Sequence, residues 1–215
     1  MVIKNKIDHI VVGADSLEQG IDALQKTLGV ALPKASKHDA MSTHNCVAPV
    51  GNERFIEILS IDPDAPEPGR ARWFAMDNPE IQASFKEKAS AYHWVVGTSD
   101  LDAVVANSPI EMGEIVTFTR GERSWRLNIP KDGSLAEEGL IPTFIEWSPG
   151  AHPSTGMVEL GLSLEEVVLT HPEPAKLKEM LSMLGVLELA SVVEGSEKNI
   201  AFKMKTPSGE AVTIK

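Results

Sequence analysis

An internal repeat constrains the fold of this 215-residue chain more than any other feature. Asp8-His9-Ile10-Val11-Val12-Gly13-Ala14-Asp15-Ser16-Leu17 is matched by Tyr92-His93-Trp94-Val95-Val96-Gly97-Thr98-Ser99-Asp100-Leu101. Phe55-Ile56-Glu57-Ile58 is matched in turn by Phe144-Ile145-Glu146-Trp147. Each copy opens with a β-branched apolar run that predicts a strand, and Asp15-Ser16 and Ser99-Asp100 supply oxygens able to cap a following helix. Leu17, Ile21, Leu24 and Leu28 keep helical spacing up to Gly29, a residue suited to a left-handed helix end. The second helix, Leu101 to Val105, is shorter and stops before Pro109. Further strands are predicted at Thr43 to Pro49, Glu114 to Phe118 and Arg123 to Ile129. The fold class is therefore α+β: two strand–helix–strands modules, about 6–62 and 90–150, joined by a proline-rich connection over 63–89 with a short helix near Ile81 to Lys88.

A third, partial βαβ-type module is predicted over 151–215, packed on the 1–150 domain. Glu166-Val167-Val168-Leu169 reads as its strand, and Leu177, Met180, Leu181 and Leu184 as its helix ending at Gly185. Ala190 to Val193, Ile200 to Met204 and Ala211 to Ile214 supply further strands. It lacks the repeated His and Phe-Ile-Glu, so it is expected to be structural. A formal charge of −11 repels nucleic acid and anionic membrane surfaces, so neither is an expected partner. The single cysteine, Cys46, forms neither an internal disulfide nor a thiolate cluster, and the apolar run of the first residues is broken by Asp8 and His9. Both points lead to an expected cytoplasmic location.

Strand alternation places His9 on a face with Ile7 and Val11, and Glu57 on one with Phe55 and Leu59. If the first and last strands of each module are neighbours, His9 meets Glu57 and His93 meets Glu146 around one cavity. Two imidazoles and two carboxylates suit a divalent metal such as Zn, Ni, Mn or Fe. The alternative is a pair of plain His–Glu hydrogen bonds. His44 and Asn45, on a predicted inner strand, are candidates for the substrate or, for His44, a replacement ligand. Arg70 and Arg72 offer guanidinium forks for a carboxylate or phosphate, and Trp94, Trp125 and Trp147 offer apolar pocket walls or core. His38, a loop histidine, and His152, His171 and Cys46 are assigned structural roles.

Asp8-His9-Ile10-Val11-Val12, Thr43-His44-Asn45, Phe55-Ile56-Glu57-Ile58-Leu59, Pro68-Gly69-Arg70-Ala71-Arg72-Trp73-Phe74 and Pro142-Thr143-Phe144-Ile145-Glu146-Trp147 together resemble the glyoxalase-like proteins of the vicinal oxygen chelate superfamily. The resemblance implies paired βαβββ modules forming a U-shaped mixed sheet around a cleft, and a homodimer as a reasonable assembly. It puts His9, Glu57, His93 and Glu146 at the metal-ligand positions. It further implies a lyase or isomerase that works through an enolate or enediolate, with Glu146, or equivalently Glu57, as the base. The rival readings are an Fe(II) extradiol-type dioxygenase and a metal-free, antibiotic-type binding protein.

Overall fold

The computed structural model describes residues 3–150 and 152–215, so the module boundary expected at 151 falls on a residue outside that description. The first module runs β1 (Asn5–Gly13), α1 (Leu17–Leu28), β2 (Ser36–His38), β3 (Thr43–Pro49) and β4 (Phe55–Ile61). After α2 (Pro79–Glu87), the second runs β5 (Ser90–Thr98), α3 (Leu101–Ala106), β6 (Glu114–Arg120), β7 (Arg123–Ile129) and β8 (Thr143–Trp147). The third segment runs β9 (Ser163–His171), α4 (Pro174–Met183), β10 (Ser191–Glu194), β11 (Asn199–Lys205) and β12 (Ala211–Ile214). The capping signals act as the sequence predicts: Ser16 Oγ accepts from Gln19 N–H, Asp100 from Ala103 N–H, and Gly29 ends α1 at φ 68°.

The first two modules form one curled mixed sheet of order β2-β3-β4-β1-β5-β8-β7-β6. In each, the first strand pairs in parallel with the last, and the halves join through antiparallel β1 and β5. This arrangement is the curled mixed sheet of paired modules that the resemblance implies. The third segment forms its own sheet, β10-β9-β11-β12, in which β9 lies between a parallel β10 and an antiparallel β11. That pairing differs from the first two modules, where the opening strand pairs with the last strand of its own module.

Two apolar layers follow from strand alternation. The outer one joins Ile10, Ile56, Trp94 and Phe144 of the large sheet to Leu24 of α1 and to Leu164, Val167, Phe202 and Met204 of the small sheet. The inner one gathers Val11, Leu59, Val95, Trp125 and Ile145 under Trp73 and Phe74 from the connection. Gly133 clamps that connection: at φ 72° it brings its backbone so near Arg72 that a Cβ would lie 2.0 Å from the Arg72 carbonyl oxygen. Its own carbonyl accepts from Ala75 N–H at 2.6 Å.

An ion-pair cluster ties the small sheet to the loop before β8. Glu137 accepts from Lys198 at 2.7 Å and lies 3.3 Å from His171 and 3.4 Å from Lys176. Glu137 and Glu138 both hold left-handed φ values (48° and 57°), a strained conformation for two successive non-glycine residues. The Lys198 hydrogen bond, opposed by burial and helped by His171, lowers the Glu137 carboxyl from its ordinary value to about 2. A depressed carboxyl stabilises fully above its unfolded pKa and loses that contribution as pH falls toward the folded value. Glu137→Gln is expected to lower Tm at neutral pH by a few degrees, on the order of 1 kcal/mol for a partly exposed cluster. It should also flatten the fall in stability between about pH 4.5 and 2. Thermal melts across that range check both effects.

Candidate functional site

A β-bulge builds the centre of the site. Along β1, Ile7 pairs with Val96 but His9 pairs with Val95, so Asp8 is the extra residue. Strict alternation puts Ile7, His9 and Val11 on one face. The bulge instead sends Ile7 to the outer layer and turns His9 into the concave cleft above Val11.

Asp8 is fully buried and receives three N–H groups: His9 Nδ1 at 2.7 Å on one oxygen, and Trp147 Nε1 at 2.8 Å and His152 Nε2 at 3.0 Å on the other. Burial alone would raise its carboxyl, but the hydrogen bonds from His152 and His9 outweigh it and hold Asp8 well below the usual carboxylate range. An ionised Asp8 only accepts, so His9 carries its proton on Nδ1 and presents the Nε2 lone pair to the cleft. Ser154 N–H donates to His152 Nδ1, which leaves the His152 Nε2 proton for Asp8.

Glu57 faces His9 across the β1–β4 pair, with Oε2 3.6 Å from Nε2, too long for a hydrogen bond. Its other oxygen accepts from Asn45 Nδ2 at 2.7 Å. Burial pushes the Glu57 carboxyl up, against the opposing influence of His9 and the Asn45 bond. An ionised aspartate, a base with a fixed tautomer and a carboxyl that holds its proton unusually well therefore stand in sequence at the cleft floor.

Above them lies a cavity of about 250 Å³ lined by His9, His38, Asn45, Phe55, Glu57, Trp73, Phe74, Trp125 and Trp147, with Arg120 and Arg123 among its walls. Ring contacts run around it from His9–Phe55, stacked at 4.5 Å, through Phe55–His152, His152–Trp147 and Trp147–Trp125 to Trp125–Phe118, Phe118–Trp73 and Trp73–His38. Burial, with help from the Arg120 charge, lowers His38 to about 3, so it is neutral at physiological pH.

The cleft brings together His9, Glu57, Asn45, Trp125 and Trp147 but not the other residues singled out from sequence. On β8, Ile145 and Trp147 face the cleft, so Glu146 points to the opposite side, where it accepts from Leu101 N–H at the start of α3 and from Arg126. The two Phe-Ile-Glu triplets are out of phase. Val11 pairs with Glu57 across β1–β4, whereas its counterpart Val95 pairs with Thr143 across β5–β8. Glu146 lies three positions beyond Thr143, and an odd offset turns a strand residue to the other face. His93 accordingly bonds to Thr143: its Nε2 accepts from Thr143 N–H, and its Nδ1 donates to the Gly139 carbonyl. Wholly buried, it is lowered to about 3 and stays neutral.

His44 alternates away from Asn45 into a separate depression beside Ser16, Lys37 and Asp62. Arg70 pairs with Glu114, and Arg72 with Asp77 and Glu67, outside the cleft. Trp94 is fully buried in the outer layer, donating to the Leu140 carbonyl. Members of the superfamily commonly use divalent metals, but the donors here do not fit the four-ligand centre. Only His9 and Glu57 of that set converge, both His93 nitrogens are engaged, and Glu146 is on the far face. Among the described residues, no group of three or more His, Cys, Asp or Glu side chains is arranged to hold a metal ion.

Asp8, His38, Arg120, Arg123 and His152 were not singled out from sequence as site residues. Asp8 stands beside His9 in the repeat where the second copy has Tyr92, an asymmetry that marks it in the sequence. Strict alternation sends the Asp8 side chain to the face opposite His9, and the bulge departs from that alternation. His38 enters through β2, three residues long and too short to carry a pattern. Arg120 and Arg123 flank the β6–β7 turn, and His152 reaches Asp8 from 144 positions away.

A family model for the Glyoxalase-like domain matches residues 7–185. No curated protein matches the chain. A hypothetical protein from Staphylococcus aureus has the same fold at TM-score 0.63, with 18% identity over 91% of this chain and 88% of that one. Methylmalonyl-CoA epimerase from Streptomyces coelicolor aligns at TM-score 0.40, with 16% identity over 68% of this chain and 96% of its own. The Mycobacterium tuberculosis epimerase aligns at TM-score 0.39, with 19% identity over 70% and 92%. No helix among the described residues is long and apolar enough to cross a membrane. With the family model spanning most of the chain and the paired βαβββ modules on which the cleft is built, this protein belongs to the glyoxalase-like domain family of the vicinal oxygen chelate superfamily.

Proposed function

We propose that the chain is an enzyme that moves a proton at a carbon beside a carbonyl group in a small molecule held in the cleft. The observation that carries this reading is the Asp8–His9–Glu57 series at the cavity floor: His9 Nε2 and Glu57 Oε2 lie 3.6 Å apart and open to the same space. Asp8 keeps the Nε2 lone pair available by holding the His9 proton on Nδ1. Nε2 takes the proton from carbon while Glu57, in its acid form, gives its own to the carbonyl oxygen, so an enol forms without a free enolate. In the return step His9 gives a proton to carbon and the enol O–H gives one back to Glu57: delivery at the same carbon gives exchange or epimerisation, and, in a 2-hydroxy carbonyl compound, delivery at the neighbouring carbon with loss of the other hydroxyl proton gives isomerisation. Asn45 holds the Glu57 oxygen that does not move a proton.

Deuterium incorporation from D2O into a panel of small ketones, aldehydes and 2-oxo acids, followed by NMR, tests the reading. At least one is expected to exchange well above the buffer rate, and to keep doing so in excess chelator. His9→Gln and Glu57→Gln are each expected to slow it by about 10²–10⁴-fold. Glu57→Gln keeps the Asn45 bond and removes a buried ionisable group, so it should melt no lower than the wild type. Exchange that never exceeds buffer, or that survives His9→Gln, overturns the proposal.

A further inference from the structure

Resting on that reading of the cleft, we propose that its ligand is a small carboxylate with a planar apolar body, whose anion is gripped by Arg120 and Arg123. These residues pair across the β6–β7 turn, where Gly121 supplies a positive φ of 61°, so both guanidinium groups lie at one end of the hairpin and both line the cavity. The protein carries a net charge of −11, and the two arginines of the connection, outside the cleft, are already engaged: Arg70 by Glu114, Arg72 by Asp77 and Glu67. Among the described residues, neither Arg120 nor Arg123 forms an ion pair with a carboxylate of the chain.

Arg120 is also held in place. Its guanidinium lies 5.9 Å from the Trp125 ring centre, and one N–H donates to Ser36 Oγ at 3.0 Å. Ser36 in turn donates to Asn45 Oδ1 at 2.6 Å, and Asn45 to Glu57 at 2.7 Å. A continuous line of hydrogen bonds therefore fixes the cation relative to the acid that would meet the carbonyl. One Arg120 N–H is used in that line, and the rest of its five-donor fork is available to an anion.

Size and walls select the rest of the ligand. A cavity of about 250 Å³ accommodates one ring or a short unsaturated chain. Phe55, Trp73, Phe74, Trp125 and Trp147 present flat apolar surfaces to that space. A planar body between them, with a carboxylate toward Arg120 and Arg123, matches both the shape and the charge of the site.

The test is a titration followed by tryptophan fluorescence, since Trp73, Trp125 and Trp147 line the cleft and only Trp94 lies elsewhere. The probes are benzoate and phenylacetate, their neutral amides, and phenylphosphonate. Each carboxylate is expected to bind at least about 10-fold more tightly than its amide, a preference that weakens with salt. Arg120→Gln/Arg123→Gln should bring each pair to within about twofold while the amides still bind. His9→Gln should lose proton exchange but keep the carboxylate preference. Equal binding of acid and amide in the wild type, a preference that survives the double substitution, phenylphosphonate binding more tightly than either carboxylate, or no fluorescence response to any probe each overturns the anion assignment. None of these results touches the D2O assay, which decides separately whether His9 and Glu57 move protons.

Discussion

Asp8→Asn is expected to lower the proton-exchange rate by about as much as losing His9 itself, although Asp8 does not face the cleft cavity. One of its oxygens accepts a single N–H, from His9, while the other accepts two, from Trp147 and His152. An asparagine side chain has one accepting and one donating end. Its oxygen satisfies more partners toward Trp147 and His152, which turns the NH2 group onto His9 Nδ1. His9 must then accept at Nδ1 and carry its proton on Nε2, the tautomer with no lone pair for the substrate. The same substitution removes a buried charge-assisted network, so stability should fall by about 2–4 kcal/mol at neutral pH. Because Asp8 is held below its unfolded value, that loss should shrink as pH drops below about 4, where the wild type also loses the contribution. The 15N shifts of the His9 ring, together with exchange rates and melts, check the argument. A variant that keeps the Nδ1–H tautomer and full exchange would show that Asp8 only packs.

Phe202→Ala is expected to cost about 3–5 kcal/mol and to lower Tm by on the order of 10 °C. Phe202 is fully buried on β11, within an outer layer that also contains Ile10, Ile56 and Phe144 of the large sheet. Trp73, Trp125 and Trp147 lie on the cleft side of the large sheet, away from the small one, so three of the four tryptophans report the large sheet while Trp94 lies in the shared layer. If one core joins the sheets, far-UV circular dichroism and tryptophan fluorescence will shift together in a single transition. An early circular-dichroism step with tryptophan fluorescence unchanged would instead make residues 163–215 a separately folding unit.

Local signals made most of the strands and helices legible. The apolar runs of β1, β4 and β5, the Ser16 and Asp100 caps and the Gly29 stop each act within a few residues, and the structure follows them closely. The repeat also made the pairing of the first and last strands of each module legible, and with it the approach of His9 to Glu57. The Phe-Ile-Glu repeat misled for a physical reason. The resemblance lies in the letters, whereas the face of a strand residue depends on register, and β8 is offset from β4 by an odd number. Arg70 and Arg72 drew attention as cations in an acidic chain, but nearby carboxylates neutralise them, while Arg120 and Arg123 reach the cleft because the hairpin turn places them there.

The sequence by itself determined the strand–helix–strands order of the two modules, the helix ends and the residues able to carry charge or protons, because hydrophobic period and capping chemistry are local. Only the tertiary structure decided which of those residues share a cavity. The bulge at Asp8 turns His9, the register of β8 removes Glu146, and His152 reaches Asp8 from the far side of the fold. Each depends on long-range strand pairing, which a change of one residue in register would reverse.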